Sequence, residues 1–263
     1  MQKKILSVLL LFTGLLLVTA CGLLQEPEAP SATIEAVPLE IEATEAPAEP
    51  VEDVAEEAVE AEEEPAAEQP AAEEEAVEAE APAASGLTIY EISQDQSEVR
   101  FELDEDLRGN RLTVVGVTNQ VAGQFALDLS DLSSAQVGEI QINARTLATD
   151  NNFRNRAIQN EILQTGSYEF ISFVPTAVSG LPASANVGEF IQFTIEGELT
   201  IRDVTETVTF EVTATAVTET TIQGTATATV LRDAYGLNIP EVPNVANVEN
   251  EVDLIINFVA NAS

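Results

Sequence analysis

The chain has 263 residues, 46 Asp and Glu against 10 Lys and Arg, one cysteine, no histidine and no tryptophan, for a formal net charge of −36. A polyanion of this kind repels phosphate backbones and anionic headgroups, which argues against nucleic acid as a partner. Without histidine there is no Ser–His relay, and a single cysteine allows no disulfide, so any fold must stand on its apolar core.

In chain order, Lys3 and Lys4 precede an apolar run from Ile5 to Val18. A membrane-spanning helix takes ~20 apolar residues. This shorter run behind a basic start reads as a signal peptide over residues 1–20. The following Val18-Thr19-Ala20-Cys21 resembles the lipobox of bacterial lipoproteins. That resemblance implies lipidation of Cys21, and hence an extracytoplasmic protein anchored to the membrane through that residue, at the cell surface or the periplasmic face.

Residues 21–85 are expected to be a lipidated cysteine followed by a disordered tether. Gly22–Ser85 holds 21 Asp and Glu, no Lys or Arg, and eight prolines. Like charge, Ala/Glu/Pro composition and an absence of aromatics cannot assemble a core. As a flexible chain such a spacer would span ~45 Å, and more with self-repulsion.

Residues 86–263 form the expected folded domain, with 25 acidic residues against eight arginines and no lysine. Here the pattern changes to alternation. Val99, Phe101 and Leu103 alternate with Arg100 and Glu102; Ile191 to Ile201, Val208 to Ala216 and Val252 to Phe258 do the same. A period of two over ten or more residues predicts long, half-buried antiparallel strands. The fold class is therefore all-β: an extended antiparallel up-and-down barrel, lipocalin-like, with one short helix. That helix is predicted after Asp150-Asn151-Asn152, where capping residues precede Phe153/Ala157 and Ile158/Ile162 at helical spacing. Asp104-Glu105-Asp106 reads as a polar turn, and neither acidic string has the ligand spacing of a calcium loop.

Five blocks in order give the domain a resemblance to the YceI-like, polyisoprenoid-binding, lipocalin-like family. They are Tyr90-Glu91-Ile92 with Ser97 to Phe101 and Val121 to Phe125; Thr146 to Asn151 through Arg154 to Ile158, with Tyr168 and Ile171-Ser172-Phe173; Ile195 to Thr205; Leu231-Arg232-Asp233-Ala234-Tyr235-Gly236-Leu237; and Glu251 to Ile256. Asn155, Ala157 and Ile158 stand where the family usually has an Asp and a His–Leu pair. The resemblance implies an extended barrel with a long apolar cavity holding an isoprenoid lipid or quinone.

The inward apolar positions are then cavity candidates: Phe101, Leu103, Phe125, Leu127, Ile142, Phe153, Ile158, Ile171, Phe173, Phe193, Ile195, Leu199, Phe210, Val212, Leu254 and Ile256. The small residues Gly197, Ala214, Gly224, Ala226 and Ala228 on the same faces are expected to leave space for a ligand. Arg154 and Arg232, at family positions, are headgroup candidates, since a guanidinium can donate to a quinone carbonyl or pair with a phosphate; Arg156 is read as a salt-bridge partner. No catalytic residue, no metal ligand set and no cofactor are expected, apart from a possible bound polyisoprenoid or isoprenoid quinone. The expected function is a membrane-anchored binding protein and not an enzyme. The alternative is an envelope interaction module with a packed, ligand-free barrel.

Overall fold

The computed structural model of the chain describes residues 26–31, 33–39, 41 and 86–263; the residues read as a signal peptide, Cys21 and most of those read as a spacer lie outside the described residues. Residues 26–39 and 87–263 belong to one compact unit, and residues 40–86 make a second, of which only Ile41 and Gly86 are described.

The alternating segments are strands, and every pairing among them is antiparallel. They are β1 (Thr88–Ile92), β2 (Glu98–Leu107), β3 (Asn110–Thr118), β4 (Val121–Ala122), β5 (Gln124–Asp128), β6 (Asp131–Val137), β7 (Ile140–Asn143), β8 (Phe170–Ser179), β9 (Phe190–Ile201), β10 (Val204–Thr218), β11 (Thr221–Leu231), β12 (Val245–Ala246) and β13 (Glu251–Ala262). The main path of the sheet runs β4-β7-β8-β9-β10-β11-β13-β1-β5-β6, with β2 joining β13, β3 and β12 off that path. Strand β13 forks the sheet. One edge pairs with β11 throughout; the other pairs with β2 at Asp253–Asn257 and with β1 at Ala260–Ala262. Because β3 runs on into β4, and β4 pairs with β7, the chain itself brings the two sides of the curl together. The result is a strongly curled half-barrel, the expected antiparallel class.

The polar turn sits elsewhere than expected. Asp104-Glu105-Asp106 lies inside β2, and the reversal to β3 is the two-residue loop Arg108-Gly109, with φ of +55° and +81°. Both residues adopt the left-handed region that a twisted two-residue hairpin demands, and glycine at the second position does so without steric cost.

The helix is present and longer than one turn. In α1 (Asn152–Arg156) the Asn151 side chain accepts from the backbone N–H of Phe153 and Arg154, as a capping residue should. The helix widens into a π-helical turn over Ala157–Ile162, where Leu163 N–H reaches Ile158 O at 2.7 Å. Gln159 Nε2 donates to Arg145 O and Leu147 O, and Arg202 Nη1 donates to Ile162 O, fixing α1 and its extension against the barrel.

Three glycines do not leave space for a ligand, because aromatic rings already lie over them. A Cβ on Gly197 would stand 2.6 Å from Phe173 Cζ, one on Gly224 2.7 Å from Phe258 Cζ, and one on Gly116 would collide with the Phe101 ring. Further rings pack together: Tyr90 stacks on Phe125 at 5.5 Å, and Phe173 meets Phe210 edge-on at 4.9 Å.

Part of the segment read as a spacer lies on the barrel. Ser31 donates from its N–H and hydroxyl to the two oxygens of Glu169, Gln94 Nε2 donates to Ile34 O, and Leu39 N–H donates to Gln124 Oε1. Ile34 is 2 % exposed. Arg145 pairs with both Glu28 and Glu169 and donates to Ala29 O. The cause is local: Ser31, Ile34 and Leu39 interrupt the acidic composition with groups that can be buried or paired. Burial would raise the Glu169 carboxyl, but the Ser31 and Asn143 hydrogen bonds and the Arg145 charge outweigh it and hold it below the usual glutamate range.

Candidate functional site

The half of the barrel interior next to α1 is open. A cavity of about 540 Å3 lies there, lined by inward residues of β2, β8, β9, β10 and β13 and by α1. A single large-to-small core substitution leaves only ~150 Å3, and that space already admits a small apolar ligand. Phe101, Leu103, Ile142, Phe153, Ile158, Ile171, Phe173, Leu199, Phe210, Leu254 and Ile256 line this chamber, as do Arg154 and Arg232. Phe125, Leu127, Phe193, Ile195 and Val212 line a second, narrower chamber of about 130 Å3 in the other half. Ile140, Phe173, Phe210 and Ile256 face both chambers. Of the small residues, Ala214 and Ala226 line the narrow chamber, whereas Ala228 lines neither.

The mouth of the wide chamber is marked by its exposed lining residues: Arg108, Asn151, Phe153, Glu241, Val242, Pro243 and Asn244. Phe153 is 69 % exposed, an unusual position for a ring on a helix. Deeper in, Glu105 is buried on the inward face of β2 between Leu103 and Leu107. Its carboxylate pairs with Arg154 Nη2 at 2.8 Å, and Arg154 Nη1 pairs with Asp150 at 2.6 Å. A buried carboxylate needs such a partner, since leaving the charge unpaired in an apolar wall would be strongly unfavourable. The pair thus sets a fixed dipole into a mostly apolar wall.

The two headgroup candidates differ. Arg154 presents its ion pair to the chamber. Arg232 donates to the backbone, with Nε on Glu249 O at 3.1 Å and Nη1 on Leu237 O at 2.9 Å, and so staples both ends of the loop 237–249; its Nη1 also pairs with Asp233 at 3.4 Å. That loop supplies Ile239, Pro240, Val242 and Val245 to the chamber wall, none of which alternation could indicate. Arg108, at the rim, has no ion-pair partner among the described residues, in a domain where six of the eight arginines are paired. Sequence reasoning missed Arg108 and Glu105 because both sit in a string that resembles a solvated turn. Alternation counted inward from Phe101 and Leu103 places Glu105 on the cavity face.

No group of three or more potential metal ligands occurs among the described residues. The architecture is thus a strongly curled antiparallel half-barrel around an apolar chamber. Residues 90–260 match the YceI-like domain model, and the chain belongs to that family. Among solved structures, a polyisoprenoid binding domain from Saccharophagus degradans, implicated in plant cell wall breakdown, is similar with a TM-score of 0.54 at 12 % identity, covering 66 % of this chain and 98 % of that one. Burkholderia cenocepacia BcnA is similar with a TM-score of 0.52 at 20 % identity, covering 65 % and 99 %. At these identities the likeness is one of fold. No curated protein matches the chain in sequence.

Proposed function

We propose that the protein binds an isoprenoid-type lipid or quinone, with the tail in the wide chamber and the polar head at the mouth beside Arg154 and Arg108. The observation that carries this reading is the 540 Å3 apolar chamber, with the buried Glu105–Arg154 pair set in its wall. The polyisoprenoid-binding description of the Saccharophagus degradans relative supports the same ligand class. Tail burial supplies the affinity, at ~0.8 kcal/mol per methylene-sized group, and the head supplies orientation. The role is carriage or retention without chemistry, in keeping with a domain whose residues 86–263 include no histidine, lysine or cysteine. Gentle purification of the full chain from its native host, followed by solvent extraction and mass spectrometry, should recover a prenyl lipid or quinone near one per protein. Repeated recovery of empty protein would overturn the reading in favour of an envelope interaction module.

The second part of the proposal is placement. The lipobox-like Val18-Thr19-Ala20-Cys21 supports an extracytoplasmic protein anchored through an acylated Cys21. Cys21→Ser should move the protein out of a salt-washed membrane fraction. Retention of the variant in that fraction would sink the anchor while leaving the ligand reading intact.

A further inference from the structure

We infer that Phe173, seated edge-on against Phe210, is the end wall of the ligand chamber and sets the length of tail the protein can bury. This inference rests on the lipid-binding reading and adds a limit to it. The two chambers abut at Ile140, Phe173, Phe210 and Ile256, with the Phe173–Phe210 ring pair at 4.9 Å among those shared residues. Both phenylalanines are buried, Phe173 to 6 % and Phe210 to 4 % exposure, so the pair is packed into the interior. Gly197 holds the partition where it is. The Phe173 ring occupies the place where a side chain on Gly197 would stand, and any larger residue there would push it away.

The volumes turn this into a length. At ~30 Å3 per water-sized group, the 540 Å3 chamber takes about 18 such groups, or three to four five-carbon units. The narrow chamber, at 130 Å3, takes about four more. Removing the Phe173 ring frees about six, so joining the chambers lengthens the accessible path by roughly two five-carbon units. A tail longer than the chamber leaves its excess outside the wall and gains no further burial. Affinity should therefore climb steeply with tail length, about tenfold or more per unit, and then level off.

The test uses the full chain in a mild detergent, with native mass spectrometry reading the bound fraction across prenyl alcohols of two to nine five-carbon units. Affinity in the unmodified protein should level off at three to four units, and in Phe173→Ala at five to six. Adding Ala226→Phe, which refills the narrow chamber, should return the double variant to the original plateau. If Phe173→Ala does not melt cooperatively, Phe173→Leu should shift the plateau by about one unit with less loss of packing. Affinity that keeps climbing past four units in the unmodified protein overturns the inference. So does an unchanged plateau in a folded Phe173 variant, and both outcomes leave lipid binding standing. Absence of binding across the whole series removes the binding reading itself, and the length limit with it.

Discussion

Strands β9, β10 and β13 contribute inward residues to both halves of the barrel interior, yet one half is open and the other nearly full. In the open half the inward positions carry mostly branched aliphatics, including Leu103, Ile171, Leu199 and Leu254, and the wall is completed by α1 and the loop 237–249. In the full half, Phe125, Phe193 and Phe258 crowd the space, and the Phe258 ring lies over Gly224. Alternation therefore identifies the inward face but not whether facing side chains meet across it. A glycine opposite a ring is a packing device, and only where chain segments stand apart does the interior stay empty.

The comparison can be broken most severely at its shared wall. Phe210→Ala should cost about 3–5 kcal/mol in a thermal or denaturant melt, as for other buried rings. A cost below 1 kcal/mol would show that the Phe173–Phe210 contact is not tightly packed. Next in size, Arg154→Ala leaves the Glu105 carboxylate buried without its partner and should cost about 3 kcal/mol. Arg154→Ala combined with Glu105→Gln should recover most of that loss, and no recovery would mean that the pair is incidental. The two halves should then respond differently to added bulk. Ala226→Phe, in the narrow chamber, should destabilise by about 1–3 kcal/mol through overpacking. Val230→Phe, on the wide chamber, should cost less than about 1 kcal/mol while lowering lipid occupancy severalfold. Equal costs at the two positions would erase the distinction between them. The smallest effect belongs to Tyr235, whose hydroxyl is buried with no partner among the described residues and whose pKa burial pushes up to about 12. Tyr235→Phe should be neutral or slightly stabilising, because it removes an unsatisfied group.

Much of this architecture is legible in the residues. The alternating runs became β2, β9, β10 and β13, and Asn151 caps the helix that its position predicts. What was not legible follows from physics that a period cannot carry. Glu105 belongs to a strand although its neighbours look like a turn, because only the Arg154 partner from another element makes its burial tolerable. The loop 237–249 has no period, and it lines the cavity because Arg232 holds both its ends. Nor does composition reveal that Ser31, Ile34 and Leu39 find partners on the barrel. Their partners Glu169, Gln94 and Gln124 are 60 to 138 residues away.

Of those three contacts, the one between Ser31 and Glu169 depends on pH. The Glu169 carboxyl is held below the ordinary value near 4.5, so the docked segment gains its full contribution above that value. The contribution is lost as the pH falls through the lower folded-state value. Hydrogen exchange at residues 33–39 should stay slow at neutral pH and speed up in acid, and Glu169→Gln should remove most of that difference.

Docking of residues 26–39 also changes what the acidic stretch can do mechanically. With Cys21 as the anchor proposed above, the path from the lipid to the first docked residue, Glu28, is seven residues, at most ~25 Å fully extended. Residues 26–39 and 87–263 lie in one unit, so docking moves the point of attachment ahead of residues 40–86 in the chain. Ile34→Asp, which undocks that segment, should therefore lengthen the reach of the cavity mouth from the bilayer.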